Sequence, residues 1–400
     1  MKLSKRAVEV QASPIRKLMP FADEAKAKGV KIYHLNIGQP DIETPQVMID
    51  VYRNYQDKVL AYGPSQGLLE YRQNLVDYYS RYDIHISTDD IIVTTAGSEA
   101  IIFAMMAICD AGDEIIIPEP FYTNYNGFAK MAGAKITPLT THAEQEFALP
   151  PNEEIEKLIN VNTKAIMLCN PGNPTGAVYS KQDLERIAQL AIKHDIFVIA
   201  DEVYREFVYD GLSHTSILTL ENIADRAVLV DSISKRYSAC GARIGCMISK
   251  NEELMAATLK FAQARLCPPT IEQLAASAAT KLQAEYFQPT LAEYKKRRDI
   301  VFSELQKIPG IVCHKPKGAF YVIAKLTAIE DAEDFAKWML AEFSENKETV
   351  MFSPAEGFYA TPGMGKNEIR IAYVLNEDDL VAAMKLLRKG LKKYSAMISY

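Results

Sequence analysis

The stretch Asp231-Ser232-Ile233-Ser234-Lys235-Arg236-Tyr237-Ser238-Ala239-Cys240-Gly241-Ala242-Arg243-Ile244-Gly245 decides how this chain is read. A run of β-formers from Ala227 to Asp231 places Lys235 just past the C-terminal end of a strand. Two small hydroxyl residues, Ser232 and Ser234, precede the lysine, and an arginine follows eight positions on, between glycines. A lysine amine attacks an aldehyde to form a Schiff base. Hydroxyls and a guanidinium beside it suit a phosphate, the guanidinium through paired charge-assisted hydrogen bonds. A lone Ser-x-x-Lys is usually only a solvated lysine, so the rest of the chain must decide.

Three more strand ends carry similar signals. Asn170-Pro-Gly-Asn173-Pro-Thr-Gly176 follows the apolar run Lys164 to Cys169, and Ala200-Asp201-Glu-Val-Tyr204 follows the run Ile196 to Ile199. Thr95-Ala-Gly97-Ser98-Glu99-Ala100 follows Ile91 to Thr94 and opens an apolar helix from Ala100 to Cys109. Each has a bland explanation: Asn, Pro and Gly cluster in turns, and small and acidic residues start helices. In this order, however, the four motifs resemble the class I pyridoxal-phosphate (PLP) aminotransferases of the aspartate aminotransferase-like family. The resemblance runs from about Ser13 to the last helix.

That resemblance implies a fold-type I α/β transferase, with a mainly parallel seven-stranded sheet flanked by helices and a smaller α+β domain. It implies a PLP-dependent aminotransferase that moves an amino group between an L-amino acid, aspartate or aromatic, and a 2-oxo acid such as 2-oxoglutarate. Lys235 matches the lysine that holds the cofactor and then carries a proton, and Asp201 the carboxylate that keeps the pyridine nitrogen protonated. Asn173 and Tyr204 match the partners of the phenolic oxygen, and Tyr122 the aromatic that stacks on the ring. The phosphate is expected on the backbone N–H groups of Gly97, Ser98 and Glu99 at a helix start, with Ser232 and Arg243 adding side chains. Tyr62, in Ala61-Tyr62-Gly63-Pro-Ser-Gln-Gly67, resembles a tyrosine that reaches the phosphate of a neighbouring subunit, which implies a homodimer with shared active sites. Arg370, with the Gly38 N–H and Asn173, matches the binder of the substrate α-carboxylate.

One position departs from the pattern. Some bacterial aspartate aminotransferases carry a lysine where this chain has Ser98, and that lysine holds the distal carboxylate of the substrate. Dicarboxylate preference loses that support here. The same cofactor groups also serve carbon–sulfur lyases and ring-forming synthases. A non-catalytic PLP-binding sensor is the reading from another class; it ordinarily carries an added DNA-binding module, for which this chain shows no spare N-terminal segment. Intact Lys235, Asp201 and Arg370 favour catalysis.

Composition agrees. Four hundred residues exceed one comfortable core, so two domains are expected: a large PLP-binding domain over residues 46–285, and a small one from 1–45 with 286–400. A formal charge of −6 gives no basic face for nucleic acid or anionic membranes. Cys109, Cys169, Cys240, Cys246, Cys267 and Cys313 show no Cys-x-x-Cys spacing, so buried free thiols are expected and neither a disulfide framework nor a metal site. Neither a signal peptide nor an 18-residue apolar run is visible, and a soluble cytoplasmic enzyme is expected.

Along the chain, Ser13-Pro14 reads as a helix start with Gly29 as its stop, Pro20 bending or splitting it. From Ile91 to Ile248 apolar strands mostly alternate with helical stretches, the pattern of a parallel sheet covered on both faces. After Asn251 the alternation is lost.

Overall fold

The computed structural model describes residues 1–398, so the last two positions of the expected small domain lie outside the described residues. Seven strands form the main sheet, in the spatial order Ile91–Thr94, Gly245–Ile248, Ala227–Ser232, Phe197–Asp201, Thr163–Cys169, Glu114–Glu119 and Lys135–Thr140. Gly245–Ile248 runs antiparallel to both its neighbours, and the remaining pairs are parallel. The exception has a local cause. A parallel return needs a crossover of a dozen or more residues, usually a full helix. Between Ser232 and Gly245 the chain makes only the short helical turn Ile233–Arg236 and a second turn at Cys240–Ala242. It therefore folds straight back, with Ser232 opposite Gly245. This hairpin-like return holds Lys235 and Arg243 at the same end of the sheet.

Successive strand residues point to opposite faces, and the sheet sorts them accordingly. Val93, Ile166, Leu168, Val198 and Leu229 enter one buried cluster, with Leu75, Tyr78 and the inner face of helix Lys181–His194. Ile92, Met167, Ile199, Val228 and Val230 enter the other, beneath helix Ala96–Ile108. Each such aliphatic side chain taken from water contributes about 1.5–3 kcal/mol. Both faces being dry, the sheet cannot slip by one residue without exchanging two complete core faces.

Helix Lys181–His194 shows how tightly local sequence sets its ends. Ser180 Oγ accepts the Asp183 N–H at 3.1 Å, and the Asp183 carboxylate accepts the Ser180 N–H at 3.0 Å. Asp195 closes the helix in the left-handed conformation. Leu184, Ile187, Ala188, Leu190 and Ala191 are buried, whereas Ile192 is exposed.

A four-stranded antiparallel sheet, Ser353–Pro354, Glu368–Ala372, Tyr321–Leu326 and Ile311–Val312, follows three helices that run from Glu252 to Leu305. Strand Lys31–His34 pairs in parallel with Glu348–Met351, so the N-terminal segment is stitched to the C-terminal third of the chain. One expectation needs correction. The first long helix is Met19–Ala27, not one that starts at Ser13 and bends at Pro20; Pro20 stands in its first turn. Proline is tolerated there because the first helical N–H groups have no carbonyl to reach. Residues 13–18 form a strap of turns instead.

Candidate active site

Parallel strands share one C-terminal edge, and ligands of such sheets gather beyond it. Asp201 and Ser232 end their strands there, Gly97 and Ser98 open the helix after Thr94, and Asn173 lies in the turn after Cys169. With Lys235, Arg243, Tyr122, Tyr204, Gly38 and Arg370 they line one cavity of about 430 Å³.

The cradle at its floor requires close backbone approach. A Cβ added to Gly245 would lie 2.6 Å from Ala96 C and from Asp231 O, and 2.7 Å from Gly97 N. Only glycine lets the returning strand pass the helix start so closely. Ala96 and Arg243 both hold left-handed backbone, at φ 61° and 55°. Strained residues of this kind cluster where a loop must aim groups at a ligand. Ser232 Oγ accepts the Ser234 N–H at 3.2 Å and lies 2.9 Å from Ile244 O, as donor, and 2.8 Å from Ser234 Oγ. The turn that carries Lys235 is thereby braced against the return strand. Lys235 is half-buried, and its Nζ donates to Gly38 O at 2.8 Å.

Asp201 is buried, and its Oδ2 accepts the Tyr125 hydroxyl at 2.6 Å. Burial pushes its carboxyl up to about 6, against the pull of hydrogen bonds from Tyr125 and the Val203 N–H. A carboxylate so placed favours a cationic neighbour. Tyr122 stands edge-on to Tyr125, ring centroids 5.5 Å apart, and accepts Asn124 Nδ2 at 2.8 Å. The Tyr204 and Tyr321 hydroxyls are 2.9 Å apart.

Arg370 is 2% exposed, yet among the described residues no carboxylate faces it. Its guanidinium donates to Asn173 Oδ1 at 3.3 Å and to Asn36 O, between the rings of Tyr321 at 4.7 Å and Phe358 at 4.9 Å. Among the described residues its Nε finds no partner, nor does Asn36 Nδ2. Burial lowers its pKa because the charge lacks an opposite. A buried, incompletely paired guanidinium in a cavity calls for an anion.

Two expected residues do not line the cavity, and neither is expected to bring its side chain into it. The Glu99 side chain turns back to its own helix start, accepting the Thr95 N–H at 2.8 Å and facing Arg265 Nε at 3.4 Å, so only its backbone is available to a ligand. Tyr62 does not line this cavity and is 82% exposed. Several lining residues escaped the sequence reading of the site: Asn36, Asn124, Cys240 and Tyr321. Tyr321 had a usable signal, since it opens a strand directly after Gly318-Ala319-Phe320. Asn36 had none, because it acts through its backbone carbonyl.

A lysine amine, a carboxylate that favours a cation, free helix-start N–H groups and an arginine at one end fit a phosphorylated pyridine aldehyde. These groups define a lysine-anchored PLP enzyme. Comparison with known proteins says which kind. The family model for aminotransferase class I and II matches residues 30–387. The aspartate aminotransferase of Bacillus subtilis is 31% identical, over 99% of this chain and all of that protein. The aromatic-amino-acid aminotransferase 2 of Thermococcus litoralis is 31% identical, over 98% of this chain and 99% of its own. The solved alanine aminotransferase of Pyrococcus furiosus superposes with a TM-score of 0.90 at 34% identity, covering 98% of this chain and all of that one. The chain belongs to the aminotransferase class I and II family and is a PLP-dependent aminotransferase of fold type I. No helix among the described residues is long and apolar enough to cross a membrane.

Proposed function

We propose that the enzyme transfers the amino group of aspartate or an aromatic amino acid to a 2-oxo acid such as 2-oxoglutarate, in ping-pong order through one pocket. The observation that carries this reading is the meeting of Lys235, Asp201 and the incompletely paired Arg370 in one cavity. The names of relatives favour aspartate and aromatic donors. When bound, PLP supplies an electron sink for the Cα–H bond.

The chain's own groups then divide the work. Arg370, with the Gly38 N–H and Asn173, holds the α-carboxylate, so that every substrate presents Cα in one orientation. Lys235, freed by substrate, takes and returns the proton at Cα. Asp201 holds the pyridine nitrogen in its cationic form. Asn173 and Tyr204 donate to the phenolic oxygen, and Tyr122 packs on the ring. The N–H groups of Gly97, Ser98 and Glu99, with Ser232 and Arg243, hold the phosphate.

The same reading makes the enzyme a homodimer in which Tyr62 completes the partner's phosphate site. Its support is that Tyr62 is exposed together with the apolar Val59, Leu60, Leu69 and Leu266. Residues 46–285 form the PLP-binding domain, and 1–45 with 286–400 the small one. All six cysteines are free, which suits the cytoplasm. An amino-acid panel against 2-oxoglutarate, with the absorbance of the bound cofactor followed, tests the reaction. Turnover of aspartate or phenylalanine supports it; a cofactor spectrum unmoved by every amino acid overturns it.

A further inference from the structure

The proposed reaction gives the Tyr204 hydroxyl to the cofactor's phenolic oxygen and leaves the tyrosine behind it without a task. Tyr321 lines the cavity, is 2% exposed, and brings its hydroxyl to 2.9 Å from that of Tyr204. A phenol has one proton to donate and lone pairs with which to accept. With the Tyr204 proton directed at the phenolic oxygen, the bond between the two hydroxyls runs from Tyr321 to Tyr204.

We propose that Tyr321 is a positioning residue: it aims the Tyr204 hydroxyl and, by donating into it, strengthens the hydrogen bond that Tyr204 makes to the phenolic oxygen. The inference rests on the aminotransferase reading, and within it on Tyr204 standing at that oxygen.

The fold holds the pair from both sides. Tyr321 opens strand Tyr321–Leu326 opposite Ala372 and stands diagonally from Arg370 on the neighbouring strand. Diagonal neighbours on one face of a sheet are within reach of long side chains, and the Arg370 guanidinium lies 4.7 Å from the Tyr321 ring centre. Tyr204 comes from the turn after strand Phe197–Asp201 and packs edge-on to Phe320 and Tyr321, with ring centroids 5.2 and 5.7 Å away. Backbone ties the two segments together. The Phe207 N–H donates to Tyr204 O at 2.8 Å, and the Ala319 N–H donates to Phe207 O at 2.9 Å. Gly38 leaves the room that the second hydroxyl needs, since a Cβ there would lie 1.8 Å from Tyr321 Oη.

Two features make the donation count. Arg370 places positive charge against the Tyr321 ring, which draws electron density from it and leaves the hydroxyl hydrogen more positive. Both tyrosines are buried, and in a low-dielectric interior the hydrogen bonds of a chain strengthen one another. A stronger bond from Tyr204 favours the negatively charged phenolic oxygen, so the bound cofactor gives up its proton at a lower pH. Asp201, Cys169, Tyr122 and Tyr294 face the pair as well, and Lys235 shares the cavity. None of these groups changes when only the Tyr321 hydroxyl is removed.

The test follows the absorbance of the bound cofactor against pH, without substrate, in the wild-type holoenzyme, Tyr321→Phe, Tyr204→Phe and the double variant. Tyr321→Phe is expected to raise the midpoint of the spectral change by about 0.5–1 pH unit, the effect of one neutral hydrogen bond. Tyr204→Phe should raise it further, and the double variant should match Tyr204→Phe, because Tyr321 then has nothing to act through. An unmoved midpoint in Tyr321→Phe assigns the hydroxyl to filling space and overturns the proposal. Shifts that simply add in the double variant overturn it too, since Tyr321 would then act without Tyr204. Should Tyr321→Phe not fold, 3-fluorotyrosine at position 321 keeps the shape and donates more strongly. Its midpoint should fall, and a midpoint that stays or rises contradicts the relay. A midpoint unmoved by Tyr204→Phe takes Tyr204 off the phenolic oxygen and overturns the proposal, while the reaction stands. A cofactor spectrum that no amino acid moves removes the aminotransferase reading, and the proposal with it.

Discussion

The two halves of the cavity are built by different means. Its floor belongs to the ends of neighbouring strands, where backbone geometry does most of the aiming: Gly97 and Ser98 at a helix start, Ser232 and Lys235 on a braced turn, Gly245 pressed between Ala96 and Asp231. Its roof is assembled from distant segments, with Asn36 and Gly38 after the first strand, Tyr321 and Arg370 from the smaller sheet, and Arg16 on the strap. The floor handles the cofactor chemistry that every transamination shares, while the roof, Tyr321 apart, binds the substrate. Changes to the floor should therefore alter chemistry for all substrates, and changes to the roof should alter binding.

Lys235→Ala sharpens that division most. Loss of the proton carrier alone lowers kcat by about 10²–10⁴-fold. Borohydride reduction of the wild type followed by peptide mapping should label Lys235; a label on another lysine moves the active centre elsewhere.

Asp201→Asn comes next, with a loss of about 10²-fold in kcat and a much smaller loss of cofactor occupancy, because phosphate contacts anchor the cofactor. Near-normal single-turnover rates would take Asp201 out of the chemistry. The same residue makes a stability prediction for the cofactor-free protein. A folded carboxyl at about 6 against an ordinary 3.8 retains a proton that the unfolded chain releases between those values. Stability is therefore lost as pH rises through that window, by up to about 3 kcal/mol. Cofactor-free Asp201→Asn should melt higher than wild type above about pH 7, and the difference should vanish below about pH 4. Equal melting points at both pH values contradict a costly buried carboxylate.

The smallest effect is expected at the partner-facing edge. Tyr62→Phe should weaken cofactor retention about ten-fold, one lost charge-assisted contact. Mixed with Lys235→Ala subunits, it should regain activity, since one site of each heterodimer then holds both native residues. Verified subunit exchange without recovery disproves the shared site.

The same division governs what the sequence reveals. The floor was legible because each of its residues follows a strand within a few positions, and an apolar run ending in Gly, Asn, Asp or Lys marks a strand end. Even the antiparallel return of Gly245–Ile248 is implied by the short link after Ser232. The roof was legible only where a side chain has a family role, as at Arg370. Asn36 works through a backbone carbonyl. The strap was misread as helix because Ser13-Pro14 imitates a helix start. The partner of strand Lys31–His34 went unseen because Glu348–Met351 is four residues long and lies over three hundred positions away.

Arg370→Lys, assayed by steady-state kinetics on aspartate, glutamate, phenylalanine and alanine, tests the division of floor from roof most directly. Lysine keeps the charge but loses the two-pronged grip on the carboxylate that all four amino acids share. The expected result is a rise in KM of about ten-fold or more for every one of them together, with kcat changed far less. A loss confined to aspartate and glutamate would show Arg370 reading the side chain, and would contradict a roof in which Arg370 fixes what all substrates share.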